Sequence, residues 1–492
     1  MKPRLLVTLA VVMLVCGCMR AGTDYVRPKA TLPSAYTDAA PWKEAAPSDE
    51  SIRGKWWEIY GDPVLNRLEE QAAASSPRVQ AAAARVQQAR AVLGFNEAGR
   101  YPTLDFTPDA SRYRVSGNRP DQPEKVPGNH EYTTNRYRLP LYASYEIDLW
   151  GKISRIEESA SRRMEASVAA YYGVLLTLQS DLAQTYFQLR SADEELILLG
   201  RGIELRERAR ELVAARKRGG LASELDLARV ETELAATQAD AQAALRRRSD
   251  LQHALAVLTG AAPGPFELEV QPFVTQPPIV PVGMPADLLE RRPDVAEAER
   301  SLSARNAEIG IAQAALFPSI KLTGALGFES AELSDLLNRD SQIWLLGASL
   351  AQPLFDAGRL RSNIDRARAV YDENLASYRE RLLVAFGEVE STLSALRILE
   401  LQHQSQLRAA NSAERAEQLA TARYKTGLVN VLELVDAQRT RLQVERVRLL
   451  IRQQQMLASV TLIRALGGGW AERRDASGTA WIVPRPGHEP GG

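Results

Sequence analysis

Two thiols, Cys16 and Cys18, stand at the end of an apolar run from Leu5 to Val15 and are the only cysteines among the 492 residues. Their available chemistry is covalent modification near the start of the chain; disulfides in its body and cysteine-ligated metal sites are excluded. The imidazoles, His130, His253, His403 and His488, are scattered without metal-ligand spacing or the partners of a nucleophilic triad, and no phosphate-binding glycine loop or nucleophile elbow occurs. No cofactor and no metal site is expected, and the reading is of a protein that is not an enzyme. Lys+Arg and Asp+Glu balance at 61 each, which removes the basic character of a nucleic-acid binder.

Lys2 and Arg4 precede the apolar run, so residues 1–17 read as a secretory signal. About eleven apolar residues fall short of the roughly 20 that a transmembrane helix needs. Val15-Cys16-Gly17-Cys18 resembles a bacterial lipobox, in which the Cys after a small residue is lipidated and becomes N-terminal; Gly17 favours Cys18 over Cys16. By the same resemblance Met19, in place of Asp, implies sorting to the outer membrane. Beyond Cys18 no run of 18 apolar residues appears, so any membrane crossing must use strands.

The elements that position everything else occur twice. Pairing Gly151 with Gly358 also pairs Tyr171 with Tyr378, Arg190 with Arg397, Leu212 with Leu419, Gly220 with Gly427, Leu221 with Leu428 and Gly260 with Gly467, a constant register of 207 residues. Upstream, Pro77 with Pro293 and Pro102 with Pro318 give a register of 216, so a nine-residue insertion lies between Pro102 and Gly151 and marks a loop. The chain is an internal duplication, and one pseudo-symmetric body is expected rather than separate domains. Two proline-free stretches rich in Ala, Leu, Gln, Glu and Arg predict long helices over 152–217 and 359–423, each about 95 Å long at 1.5 Å per residue. Leu375, Tyr378, Leu382, Ala385, Val389, Thr392, Leu396 and Leu399 follow the steps of a coiled-coil seam. Shorter helices are predicted over Pro63–Gly99, 223–259, Pro285–Ala315 and 430–466. Gly219-Gly220 and Thr426-Gly427 close the long helices.

Four short segments complete the pattern. In 137–149 every odd position is apolar and most even ones are polar, a strand with one greasy face whose length suits the roughly 9 to 11 residues of a tilted membrane strand. Its duplicate, 344–355, is interrupted by Gln352; the other two, 103–115 and 319–328, start after Tyr101-Pro102 and Phe317-Pro318. Tyr101, Trp150, Phe317, Trp344 and Phe355 mark the edges as an interfacial belt. Four strands cannot close a membrane sheet, so neighbouring subunits must complete it. Two chains would supply eight strands and fill their own interior, whereas three would supply twelve and leave a lumen, which a conduit favours.

Trp56-Trp57, Gly61-Asp62-Pro63, Glu146-Ile147-Asp148-Leu149-Trp150-Gly151, Pro353-Leu354-Phe355-Asp356-Ala357-Gly358-Arg359, Tyr424-Lys425-Thr426-Gly427, Leu434-Val435-Asp436-Ala437-Gln438-Arg439 and Ala465-Leu466-Gly467-Gly468-Gly469-Trp470 together resemble the outer membrane efflux proteins. The nearest group is the lipidated OprM-like or NodT-like branch of the TolC superfamily. The resemblance implies a mainly α protein with a transmembrane β-barrel: long antiparallel helices forming a periplasmic α-barrel, and four strands per chain in a shared twelve-stranded barrel of a homotrimer. The implied parts are a lipidated segment at 18–62, a first repeat over 63–260, a linker at 261–284, a second repeat over 285–470 and a mobile tail at 471–492. The implied partners are a periplasmic adaptor, an inner-membrane transporter of the resistance-nodulation-division type and outer-membrane lipid. Carried over by motif, Leu432 and Asp436 would form a constriction at the periplasmic tip, with Arg439 and Tyr424 in the network that holds it shut. Carboxylates gathered on an axis repel one another and attract cations, which makes such a ring both lock and filter. Gly220, Leu221, Gly427 and Leu428 would meet the adaptor. The position matching Asp436 in the first repeat is Arg229, so only one hairpin carries the acid. A protein-secretion duct of type I, or a coiled-coil lipoprotein tether without a pore, are the alternative readings.

Overall fold

The structure, a computed structural model, describes residues 20–29, 55–116, 132–278 and 292–468. The expected signal, Cys18 and the tail lie outside the described residues, as does the expected helical start before 292. Chain contacts divide the molecule into two compact units: Met1–Pro28, Gln88–Glu165 and Arg300–Ala376 form one, and Lys29–Gln87, Ala166–Glu299 and Ser377–Gly492 the other.

The helices are α1 (Pro63–Ser75), α2 (Pro77–Glu97), α3 (Lys152–Arg218), α4 (Glu224–Leu258), α5 (Pro293–Ala314), α6 (Arg359–Lys425) and α7 (Val431–Ala465). The duplication is exact in length: α3 and α6 have 67 residues each, and α4 and α7 have 35 each. The expected single helix Pro63–Gly99 is broken, because Ser76 is extended (ψ 125°) ahead of Pro77, the conformation that a following proline imposes. A three-residue 3-10 turn, Ala98–Arg100, ends α2.

The first unit holds an antiparallel sheet of β1 (Thr103–Phe106), β2 (Asp109–Val115), β3 (Tyr132–Ile147), β4 (Ser319–Ser330) and β5 (Gln342–Ala351). β3 pairs with β1 and β2 on one side and with β4 on the other, and β4 pairs with β5. Strand boundaries differ from the alternation pattern for identifiable reasons. The expected strand 103–115 is two strands, interrupted at Thr107-Pro108; both halves keep one register against β3, with Phe106 opposite Leu141 and Asp109 opposite Arg138. Pro108 and Pro140 have no N–H to give to the ladder at that point. β3 starts at Tyr132 rather than 137, since the backbone ladder continues past the apolar stretch. It ends at Ile147 rather than 149, because Asp148 turns to accept bonds from the N–H groups of Ile153 and Ser154 at 2.8 Å and begins α3. β5 stops at Ala351, short of the expected 355. Gln352 leaves the ladder and donates to the Leu316 carbonyl at 3.0 Å, and Pro353 follows.

In the same unit, residues 20–24 are strapped to the start of α3. The Arg155 guanidinium, 1% exposed, donates to the carbonyls of Ala21 (3.1 Å) and Gly22 (3.0 Å) and pairs with Asp24 at 3.0 Å. Gly22 packs so close to Gly310 that an added Cβ would lie 2.8 Å from the Gly310 Cα.

The second unit is built on the long seam. Tyr378, Leu382, Ala385, Val389, Thr392 and Leu396 are all buried on α6, as their spacing requires. Trp56, Trp57 and Tyr60 form an edge-to-face aromatic group, with Tyr60 against Phe187 at 4.8 Å. Asp62 caps α1 through the Val64 and Leu65 amides and accepts the Tyr186 hydroxyl at 2.6 Å. Segment 261–278 is held by side chains of α3, α4 and α7. Arg190 donates to the Glu269 carbonyl (2.8 Å) and to buried Asp193 (2.7 Å), Gln252 donates to the Phe266 carbonyl (2.7 Å), and Arg452 donates to the Val274 carbonyl (2.7 Å).

Candidate functional site at the helix tips and the open sheet

Both hairpins of the second unit end in the same device. The N–H of Gly220 bonds the Lys217 carbonyl at 3.0 Å and that of Leu221 the Arg216 carbonyl at 2.8 Å; Gly427 to Tyr424 (3.0 Å) and Leu428 to Arg423 (2.9 Å) repeat the pattern. These are Schellman closures, which need a left-handed residue; Gly220 and Gly427 have φ of 75° and 81°. The next helices are capped by Ser223, in a reciprocal box with Asp226, and by Asn430, which accepts from the Glu433 amide. The Ser223 amide and hydroxyl, bonding its carboxylate, hold the Asp226 carboxyl below the usual carboxylate range. Leu221 and Leu428 follow the closing glycines and stand 80% and 71% exposed, unused by the fold of one chain.

Beneath the tips Ala209, Val213, Val230, Tyr424, Val431 and Leu434 form one buried cluster. Tyr424 is therefore a core ring. Arg216 lies over it at 4.5 Å and also donates to the Lys425 carbonyl at 3.1 Å. Among the described residues no hydrogen bond joins Tyr424 to Asp436 or Arg439, so within a chain it is not part of the network the resemblance implies. Leu432, Asp436 and Arg439, at steps of four and three, share the exposed face of α7. Arg439 Nη2 stands 2.8 Å from Asp436 Oδ1. The tip thus carries an apolar group and an intrahelical ion pair on one surface. Arg216, which supports both Tyr424 and the end of α6, pairs with Arg423 in the register of 207 residues, but the sequence assigned it no role at the tip.

The sheet sorts its two faces through its central rows, with Leu345 and Ile343 of β5 the apolar exceptions on the polar side. Rows across it read Leu104–Ala143–Gly324–Leu346, Phe106–Leu141–Leu326–Trp344 and Ile147–Ile320–Leu350 on one face. The opposite face carries Thr103–Ser144–Thr323, Glu146–Lys321–Ser349 and Asp109–Arg138–Glu329, with Arg138 and Asp109 paired at 2.6 Å. Gln352, beyond β5, does not interrupt the apolar face. Trp344 is the last apolar residue of β5 on this face, next to Gln342. Trp150 and Phe317 do meet at the border, stacked at 4.8 Å, with the indole N–H donating to the Pro318 carbonyl at 2.8 Å. Among the described residues nothing pairs with the outer edge of β5 or of β1 and β2. Such a surface suits lipid on one side, water on the other and further strands at both edges.

Among the described residues no group of His, Cys, Asp and Glu could hold a metal ion, and no helix is long and apolar enough to cross a membrane. A family model described as outer membrane efflux protein matches residues 68–261 and 284–468. The pyoverdine export outer membrane protein OpmQ of Pseudomonas putida is 33% identical over 467 residues, 94% of this chain and 97% of that protein. The outer membrane protein OprJ of Pseudomonas aeruginosa is 32% identical over 96% of this chain and 98% of its own. The solved structure of the outer-membrane channel OprN superposes with a TM-score of 0.83 at 31% identity, covering 91% of this chain and 99% of that one. The fold is that of these channels, mainly α with a strand sheet, and the chain belongs to the outer membrane efflux protein family.

Proposed function

We propose that the chain is the outer-membrane exit duct of a tripartite efflux pump, conducting small molecules passively from an adaptor and inner-membrane transporter to the cell exterior. The observation that carries this reading is the open sheet with one face apolar through its central rows, bounded by Gln342 and Ser330 at one end. From Tyr137 to Ile147 that face runs eleven residues of β3, roughly 33 Å of strand, which at the usual tilt of about 40° rises roughly 25 Å, the height of a barrel's apolar band. Unpaired backbone at both edges would cost several kcal/mol per group in hydrocarbon, so other copies must supply the missing strands. Because β1 and β2 share one position beside β3, three copies give twelve strand positions and a lumen, with the polar face of Glu146, Lys321 and Arg138 turned inward. Lipid on Cys18 would add an anchor at the outer membrane.

Leu432 and Asp436 are proposed as the constriction of the periplasmic tip, with Arg439 holding the Asp436 carboxylate. Leu221 and Leu428, beside Gly220 and Gly427, are proposed as the adaptor contact, the adaptor serving a transporter of the resistance-nodulation-division type. Purified protein in planar bilayers should conduct, and its native mass should be three times that of one chain. A lone chain without conductance would defeat the proposal; a closed oligomer without conductance would favour a structural tether.

A further inference from the structure

The second unit contains a cavity of about 930 Å³ between α3, α6, α7 and the segment 276–278. Its size falls within the range of pockets that enclose drug-sized molecules. Leucines, among them Leu205, Leu401 and Leu442, supply apolar lining, but the lining also includes guanidinium and carboxylate groups. The carboxylates are all answered inside the protein. Glu417 and Glu445 pair with Arg441 and Arg448 at 2.8 Å, Glu400 accepts from Gln455 Nε2 at 3.0 Å, and Glu194 accepts from the Phe273 amide at 3.1 Å.

One buried cation is answered only at long range. Arg206 is 4% exposed; its Nη1 reaches the Gly202 carbonyl of its own helix at 3.3 Å, and its Nη2 stands 4.0 Å from Glu233. That leaves most of its five N–H donors without a good acceptor, and burial alone lowers its pKa. The guanidinium lies beside two other lining residues, since an added Cβ on Gly202 would meet its Nη1 at 3.3 Å and the Leu442 side chain at 3.8 Å. A roomy cavity thus offers a buried, weakly bonded guanidinium and leucines beside it. A neutral ligand would leave the guanidinium as it is, and a small inorganic anion would leave the apolar lining uncovered.

We propose that this cavity binds an organic anion with a compact apolar body, such as an aryl carboxylate or sulfonate, its charged head on Arg206 and its body among the leucines. None of its lining residues is one of the proposed gate residues or belongs to the sheet, and its occupation does not depend on conduction.

The test uses the full-length protein in lipid nanodiscs and isothermal titration with 1-naphthalenesulfonate, with 1-naphthalenemethanol as the uncharged match. The sulfonate should bind saturably and the alcohol much more weakly. Arg206→Met should weaken the sulfonate roughly tenfold to a hundredfold, the effect of a lost charge-assisted bond, while Arg206→Lys keeps part of it. Leu401→Glu, which adds a carboxylate to the lining at a side chain 61% exposed, should weaken sulfonate binding further with an unchanged circular dichroism spectrum. Sulfonate binding that survives Arg206→Met, equal binding of the two probes, or no binding by well-folded protein would each overturn the proposal. Conductance in bilayers reads the duct separately, so loss of one leaves the other standing.

Discussion

Arg439 holds Asp436 in a hydrogen-bonded ion pair one turn away on α7, at 2.8 Å, with both side chains about three-fifths exposed. An exposed pair of this kind contributes only about 0.3–0.5 kcal/mol to stability, so either residue is removable without unfolding the helix. The pair instead decides how much negative charge the tip presents. Arg439→Ala should raise the cation preference of the closed channel, and Asp436→Ala should lower it and raise conductance. A carboxylate about 4 Å from a passing cation in water is worth about 1 kcal/mol, roughly fivefold in preference. Reversal potentials in asymmetric salt check both, and identical values for the two variants would remove Asp436 from the gate.

Glu69 on α1 is fully buried, and neither carboxylate oxygen has a hydrogen-bond partner; burial pushes its pKa well above the ordinary value. The fold therefore keeps a proton that the unfolded chain gives up above about pH 4.3. Folding takes up that proton, so this residue's contribution to stability is fullest at acid pH and declines as pH rises. Glu69→Gln has no proton to lose. Its melting temperature should match the parent near pH 4 and exceed it increasingly towards pH 8; a difference independent of pH would show that the carboxyl is charged and paired.

Gly327 lies opposite Pro140 in the ladder, and a Cβ there would fall 2.3 Å from the Leu139 carbonyl oxygen. That contact is with backbone, which has little room to move, so Gly327→Val should cost at least about 1–3 kcal/mol through overpacking. Because the strain sits between β3 and β4, the proposed oligomer should suffer more than the helices do. Loss of the high-mass band on a semi-native gel with unchanged helical circular dichroism is the expected result.

Much of this architecture was legible because its determinants are local. Gly220, Gly427, Gly260 and Gly467 all take positive φ, so the repeat they reveal in sequence is a repeat of helix ends. The seam on α6 and the alternation in β3 likewise follow from period alone. The pairings that matter most were not legible. Arg155 reaches residues more than 130 positions away, Glu69 is a polar letter at a buried position, and Tyr424 is a core ring that motif resemblance placed in the gate. Period assigns a face; only three-dimensional packing says what covers it.

Arg155→Met tests the strap. Removing the guanidinium leaves the half-buried Ala21 and Gly22 carbonyls without that donor, about 1 kcal/mol for each bond lost. Residues 20–29 should detach while the sheet stays folded. Trypsin should then cut at Arg20 or Lys29 much faster than in the parent, and unchanged cleavage would mean that other contacts hold the strap.

The hairpin tips separate folding from partnership. Gly220 and Gly427 have positive φ but open space around a prospective Cβ, so alanine there should cost about 1 kcal/mol each in stability, from backbone conformation alone. Leu221 and Leu428, by contrast, touch little that the fold needs. Leu221→Asp and Leu428→Asp should leave the stability within about 0.5 kcal/mol of the parent. If these side chains seat the adaptor, each charge placed there must be desolvated on docking, and complex formation with the cognate adaptor, measured by interferometry on nanodisc-embedded channel, should fall steeply. Full adaptor binding by both variants would place that contact elsewhere on the helices and leave the two leucines as plain exposed caps.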